Sequence, residues 1–158
     1  MNPDSVKWPL AVLAVPVLVT MIDYSFLQTP TSAEIGRLIQ LYRHAGWWKD
    51  EADDPDLVRG IVAGSHCFLV ARQAGTIVAM GRAISDRISD AYIQDITVDP
   101  SFRRQGVGSR MVATLVARLE ADGIGWIGLI AERKTHPFYR PLGFDPMADA
   151  LPMLKKRQ

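Results

Sequence analysis

The stretch Arg103-Arg104-Gln105-Gly106-Val107-Gly108-Ser109 holds the residue types and spacing in this chain best suited to chemistry. Two glycines one residue apart let the main chain approach a bulky group with no Cβ in the way. Val112, Leu115, Val116 and Leu119 follow at i, i+3, i+4, i+7, so the loop opens an amphipathic helix. The first amides of a helix have no intrahelical partner and carry partial positive charge. Such a turn is a cradle for a phosphate or pyrophosphate, with Arg103, Arg104 and Arg110 at hand as cations. Spacing excludes two other phosphate binders. Gly106 is not followed by the Gly-Lys-Ser/Thr of a Walker A loop. Met111 stands where the dinucleotide pattern G-x-G-x-x-G needs its third glycine. On the loop alone, a helix entry with glycines for close packing is the competing reading.

Other chemistry is limited by count. Cys67 is the single cysteine, which excludes an intrachain disulfide and a cysteine-based zinc site and fits a reducing, cytoplasmic compartment. His44, His66 and His136 lack ligand spacing, so no metal is expected. The formal net charge is +1, from 18 basic and 17 acidic residues. That gives no global basic field and argues against nucleic acid as a partner.

The elements that must position the loop can be read from the pattern. With 158 residues, 48% hydrophobic and 22% charged, one compact domain with one real core is expected over residues 21–158. Residues 1–20 form an apolar extension of uncertain role. Its run Leu10 to Val19 contains Pro16 and is shorter than the roughly 20 residues a membrane-spanning helix needs, so no membrane association is expected. Ile22 to Leu27 reads as a strand. Thr31-Ser32-Ala33-Glu34 is a capping box, followed by the apolar stripe Ile35, Leu38, Ile39, Tyr42. Asp54-Pro55 starts a second helix. Cys67 to Arg72 and Ile77 to Ser85 read as a hairpin. Tyr92 to Val98 is a strand stopped by Asp99-Pro100. After the glycine loop and its helix come a strand over Trp126 to Ala131, a short helix over Thr135 to Leu142, and a last strand around Met153-Leu154. The order is β, α, α, β, β, β, α, β, α, β, a mixed sheet with helices packed on it.

The segment from Tyr92 through Ser109 resembles the central motif of the GNAT superfamily of N-acetyltransferases, whose [R/Q]-x-x-G-x-[G/A] signature is matched by Arg103, Gly106 and Gly108. The downstream Pro137-Phe-Tyr-Arg-Pro-Leu-Gly-Phe144 resembles the family's FYxxxGF element. The resemblance covers about residues 22 to 145. It implies an α/β fold with a mostly antiparallel central sheet, splayed between the fourth and fifth family strands, and helices on both faces. It implies acetyl-CoA as co-substrate and no metal. Its pyrophosphate would rest on Arg103, Arg104, Gln105, Gly106, Val107, Gly108 and Ser109, chiefly on their amides. Its pantetheine arm would pair with Ile96, Thr97 and Val98, where the family often has a bulge.

In that family an amine attacks the thioester directly in a ternary complex. Tyr139 matches the usual acid for the leaving thiolate, with Phe138 the better core residue. The proton acceptor is less plain. Asp95 and Gln94 would alternate to opposite faces of their strand. Asp95 is one candidate and Glu132 another, although many relatives carry an Asn at the latter place. An ordered water is the third option. Trp47 and Trp48 follow the first helix, where relatives commonly form the acceptor pocket, and with Gln94 are the candidates for substrate binding; core packing is their competing role. Tyr24 and Phe26 are further candidates for the core. The acceptor would be a small-molecule amine or a protein amine, and a homodimer would be in keeping with the family. The alternative function is a non-catalytic, regulatory CoA-binding module of the same fold.

Overall fold

The computed structural model describes residues 21–49 and 53–155; the apolar extension lies outside them. Among the described residues, five strands and four helices follow the order β1 Ile22–Phe26, α1 Ser32–His44, α2 Pro55–Gly64, β2 Cys67–Gln73, β3 Thr76–Ser85, β4 Asp90–Val98, α3 Val107–Ala121, β5 Trp126–Leu129 and α4 His136–Tyr139. Single 3-10 turns occupy Pro100–Phe102, Glu132–Lys134 and Arg140–Leu142.

Local chemistry sets the element ends. The amide of Glu34 donates to Thr31 Oγ1 at 3.3 Å, and the amide of Thr31 donates to Glu34 Oε2 at 2.8 Å, a complete capping box at the start of α1. Asp54 Oδ1 accepts the amides of Asp56 and Leu57, both at 3.0 Å, and so caps α2. The hairpin between β2 and β3 turns through Ala74 (φ 47°) and Gly75 (φ 80°), the two positive φ values of a type I′ turn. Between β3 and β4, the amides of Ile88, Ser89 and Asp90 donate to Asp86. Those bonds hold the Asp86 carboxyl well below its usual range.

The strands lie in the order β1-β2-β3-β4-β5. The first three pairings are antiparallel, while β4 and β5 run parallel. Two cores result. Cys67, Leu69 and Ala71 meet Val107, Met111, Leu115 and Leu119 of α3 on one face. Phe68 and Val70 meet Ile35, Leu38, Ile39, Val58 and Val62 of α1 and α2 on the other. The alternation along β2 produces this two-sided packing. Cys67 is buried, which pushes its thiol up to about 11, and it acts as a small core residue.

Two features govern the site. First, β4 pairs with β5 only from Asp90 to Ile93. Beyond that point β4 continues to Val98 against β3 alone, so among the described residues one edge of its second half is open. The strand expected to reach Ala131 ends at Leu129 because its partner has diverged. Second, the β3–β4 register jumps: Met80 faces Thr97 and Arg82 faces Gln94. Asp95 and Ile96 therefore oppose Gly81 alone, which is a β-bulge.

Three expectations need correction. No strand forms around Met153-Leu154; these residues are 90% and 93% exposed. Pro146 and Pro152 each remove a ladder donor from this tail, and Asp149 takes a positive φ of 55°. The helix expected over Thr135 to Leu142 is split into α4 and a 3-10 turn, with Pro141, which has no amide to donate, inside that turn. Phe26 is not core: it is 37% exposed, with the Arg118 guanidinium 5.1 Å from its ring centroid. Tyr24 does pack against the α3-side core.

Candidate active site

The open edge of β4 lines a cleft of about 980 Å³. One stretch of its wall is the glycine turn. Gly106 caps α3 in the left-handed region (φ 80°), and no side chain caps the helix. The Arg110 amide donates to the Gly106 carbonyl at 3.0 Å, so the earlier amides of the turn are the ones a helix leaves unpaired. Gly108 matters for a different reason. A Cβ there would sit 3.3 Å from Phe138 Cζ and 3.7 Å from Val98 Cγ2, so its absence lets α4 close on the strand end. Phe138 was expected in the core; instead it is 38% exposed, in the cleft wall against this turn.

Arg104, Gly106, Gly108 and Ser109 line the cleft together with Ile96, Thr97 and Val98. Gln105 and Val107 do not. Gln105 donates to the Ser101 carbonyl at 3.1 Å, and the Val107 side chain is core, so each offers the cleft at most its main chain. Arg103 lines the cleft, but its Nε donates to the Val98 carbonyl at 2.9 Å and ties the loop to the end of β4.

At the bulge, Asp95 adopts φ 56°. This overturns the expected alternation. Gln94 and Asp95 do not point to opposite faces but reach the same guanidinium: Arg82 Nε donates to Asp95 Oδ2 at 2.5 Å, and its terminal nitrogen donates to Gln94 Oε1 at 3.1 Å. The extra residue of a bulge breaks the period of two on which the alternation rests. Tyr42 Oη donates to the same Asp95 Oδ2 at 2.9 Å. Burial first, and then the Asp95 charge, pushes the Tyr42 hydroxyl far above its ordinary value.

Beyond the bulge the wall becomes aromatic. Tyr42 stacks on Trp48, with centroids 4.3 Å apart and rings within 8° of parallel, and Trp47 lies 6.0 Å from Tyr42. Trp47 and Trp48 are half-buried, each packed against the α1–α2 core on one side while lining the cleft on the other. Trp47 Nε1 donates to Glu132 Oε2 at 3.3 Å, and an Arg133 nitrogen donates to the Ala45 carbonyl at 2.8 Å. These contacts draw the turn after β5 onto the end of α1. Tyr139 completes the wall. Burial raises its pKa above the usual tyrosine value, and the Glu132 charge raises it further. Tyr42, Arg82 and Arg133 were not foreseen in the cleft, because each arrives there by tertiary packing; Phe138 is marked by the FYxxxGF pattern, but its place in the cleft wall is not. Among the described residues no cluster of three or more metal-ligating side chains occurs.

A sheet that parts between parallel neighbours, with a bulged free edge leading to a glycine-capped helix, defines the acyltransferase-type fold that the motifs resemble. The Acetyltransferase (GNAT) family matches residues 33–144, and the chain belongs to that family. It is 29% identical over 131 residues to serotonin N-acetyltransferase 2, chloroplastic, of Oryza sativa subsp. japonica, spanning 81% of this chain and 64%, just under two thirds, of that protein. It is 37% identical over 125 residues to an uncharacterized N-acetyltransferase of Porphyra purpurea, spanning 75% and 69% of the two chains. A probable acetyltransferase from Staphylococcus aureus superposes with a TM-score of 0.71 at 20% identity, over 87% of this chain and all of the other, which shows the fold.

Proposed function

We propose that the protein transfers an acetyl group from acetyl-CoA to a primary amine by direct attack within a ternary complex. The observation that carries this reading is the free edge of β4 from Gln94 to Val98, continuous in one cleft with the glycine turn on one side and Tyr139 on the other. The residues present suit the donor. A pyrophosphate fits the uncapped amides of the turn. An amide-bearing arm fits an unpaired strand edge as an added strand. A thioester carbonyl would then face the bulged main chain, where an amide can stabilise the developing oxyanion.

The acceptor must lose a proton before attack, since an alkyl ammonium has a pKa of about 10.4. Glu132 suits this better than Asp95. It is an exposed cleft carboxylate with one long hydrogen bond, whereas Asp95 Oδ2 already accepts from two donors. The amine nitrogen bonds to the acetyl carbon as the carbon–sulfur bond breaks. Tyr139, which its surroundings keep protonated, gives its proton to the departing thiolate, and the proton shed by the acylated nitrogen returns through solvent to the Tyr139 oxygen. The wall of Trp47, Trp48 and Tyr42 favours an acceptor carrying an aryl ring; the rice relative, named for serotonin, supports the same class.

A panel of amines assayed for free CoA release from acetyl-CoA tests the proposal. Turnover is expected, with aryl-bearing amines ahead of polyamines. No release with any acceptor, together with tight CoA binding, would favour the regulatory module instead.

A further inference from the structure

We propose that Arg82 and Tyr42 are positioning residues for acyl transfer, acting through the Asp95 carboxylate to lock the bulge that turns the main chain of β4 into the cleft. The inference rests on the transferase reading above and deepens it.

Seven non-glycine residues among those described have positive φ. Six (Ala74, Arg87, Arg104, Arg133, Lys134 and Asp149) lie in turns and loops, and Asp95 alone lies inside a strand. A Cβ-bearing residue enters the left-handed region against a steric penalty, smaller for Asp and Asn than for other side chains, and inside a strand that conformation persists when its surroundings over-determine it. The surroundings do so here. Arg82 stands on β3 directly across from Gln94 and grips both Gln94 and Asp95 with one planar guanidinium. Tyr42 comes from α1 on the helical side, is 3% exposed, and is fixed in place by its stack on Trp48. Two elements thus converge on a single carboxylate oxygen of a third. Gly81 completes the fit: a Cβ there would stand 2.3 Å from Ile96 Cδ1, so the bulge presses Ile96 onto bare backbone. With Oδ2 committed in this way, Asp95 holds shape rather than taking the acceptor's proton.

The two roles separate in a substitution series at position 95, each variant assayed for kcat, acetyl-CoA affinity and thermal melting. Asn accepts the same two hydrogen bonds and tolerates positive φ, glycine tolerates it without a clamp, and alanine does neither. Asp95→Asn is therefore expected to lose about threefold in kcat, and Asp95→Ala to fall about tenfold below Asp95→Gly, the size of the left-handed penalty for a Cβ. Arg82→Lys and Tyr42→Phe are each expected to lower kcat by about tenfold, one hydrogen bond to a charged group, with KM for acetyl-CoA within about twofold. Equal loss in the Gly and Ala variants overturns the clamp, as does unchanged kcat in both Arg82→Lys and Tyr42→Phe. If the wild-type chain turns over no amine, the transferase reading fails by itself. The clamp is then read from amide hydrogen exchange over residues 95–97, which should quicken in Tyr42→Phe; unchanged exchange there overturns it.

Discussion

Tyr139 shows how much one side chain's role depends on what surrounds it. Burial disfavours the phenolate, and the nearby Glu132 charge disfavours it further, so its pKa lies above the usual value. A raised pKa keeps the hydroxyl protonated to higher pH, so an acid at this position stays competent on the alkaline side. The kcat profile is expected to hold its plateau up to about pH 10, the ordinary tyrosine value. Glu132→Gln removes one of the two raising influences and should move the Tyr139 titration, read by tyrosinate absorbance against Tyr139→Phe, to lower pH. Tyr139→Phe should lower kcat by roughly a hundredfold or more, the usual range for losing a general acid, with acetyl-CoA affinity retained. Unchanged turnover in that variant would remove Tyr139 as the acid. Its place could be read from the FYxxxGF pattern, but the partnership with Glu132 could not. Nor could the hydrogen bond between Trp47 and Glu132, 85 positions apart in sequence.

The glycine turn and the bulge, at the scale of elements, contrast in how much of each is encoded locally. The capping residues Thr31 and Asp54, the hairpin at Ala74-Gly75 and the stripe of α3 act within a few positions of themselves, so their elements are legible in the chain. The turn before α3 belongs with them. At Gly106 there is room for a Cβ, with nothing within 4 Å, yet φ is +80°. The obstacle to replacement is therefore conformation, not space. Gly106→Val is expected to cost about 1–2 kcal/mol of stability, the left-handed penalty for a Cβ residue. It should also turn the amides and weaken acetyl-CoA binding by about tenfold or more, the loss of one hydrogen bond to a charged phosphate. Calorimetry showing equal affinity would contradict that role. The bulge is different. The resemblance marks this strand as one that often carries a bulge, but the exact position of the extra residue is set by the strand opposite. Only with Gly81 and Arg82 in place do Gln94 and Asp95 fall on one guanidinium.

At the scale of the molecule, the described residues form a five-stranded sheet between two helical layers, and the cleft exists because β4 outlasts β5. The two-sided core was foreshadowed by apolar runs such as Phe68-Leu69-Val70-Ala71, which are buried on both faces. The missing last strand was not, because a pair of apolar residues such as Met153-Leu154 forms a strand only if a partner edge and free amides are available. Among the described residues no helix is long and apolar enough to cross a membrane. The carrier is proposed to lie along the second half of β4 with its diphosphate at the start of α3. Backbone amide chemical-shift mapping with CoA tests it most directly. The largest shifts should fall on Ile96, Thr97 and Val98 and on Arg104 to Ser109, with β1 and α2 quiet. A saturable response centred elsewhere, or none at all in the glycine turn, would contradict the account.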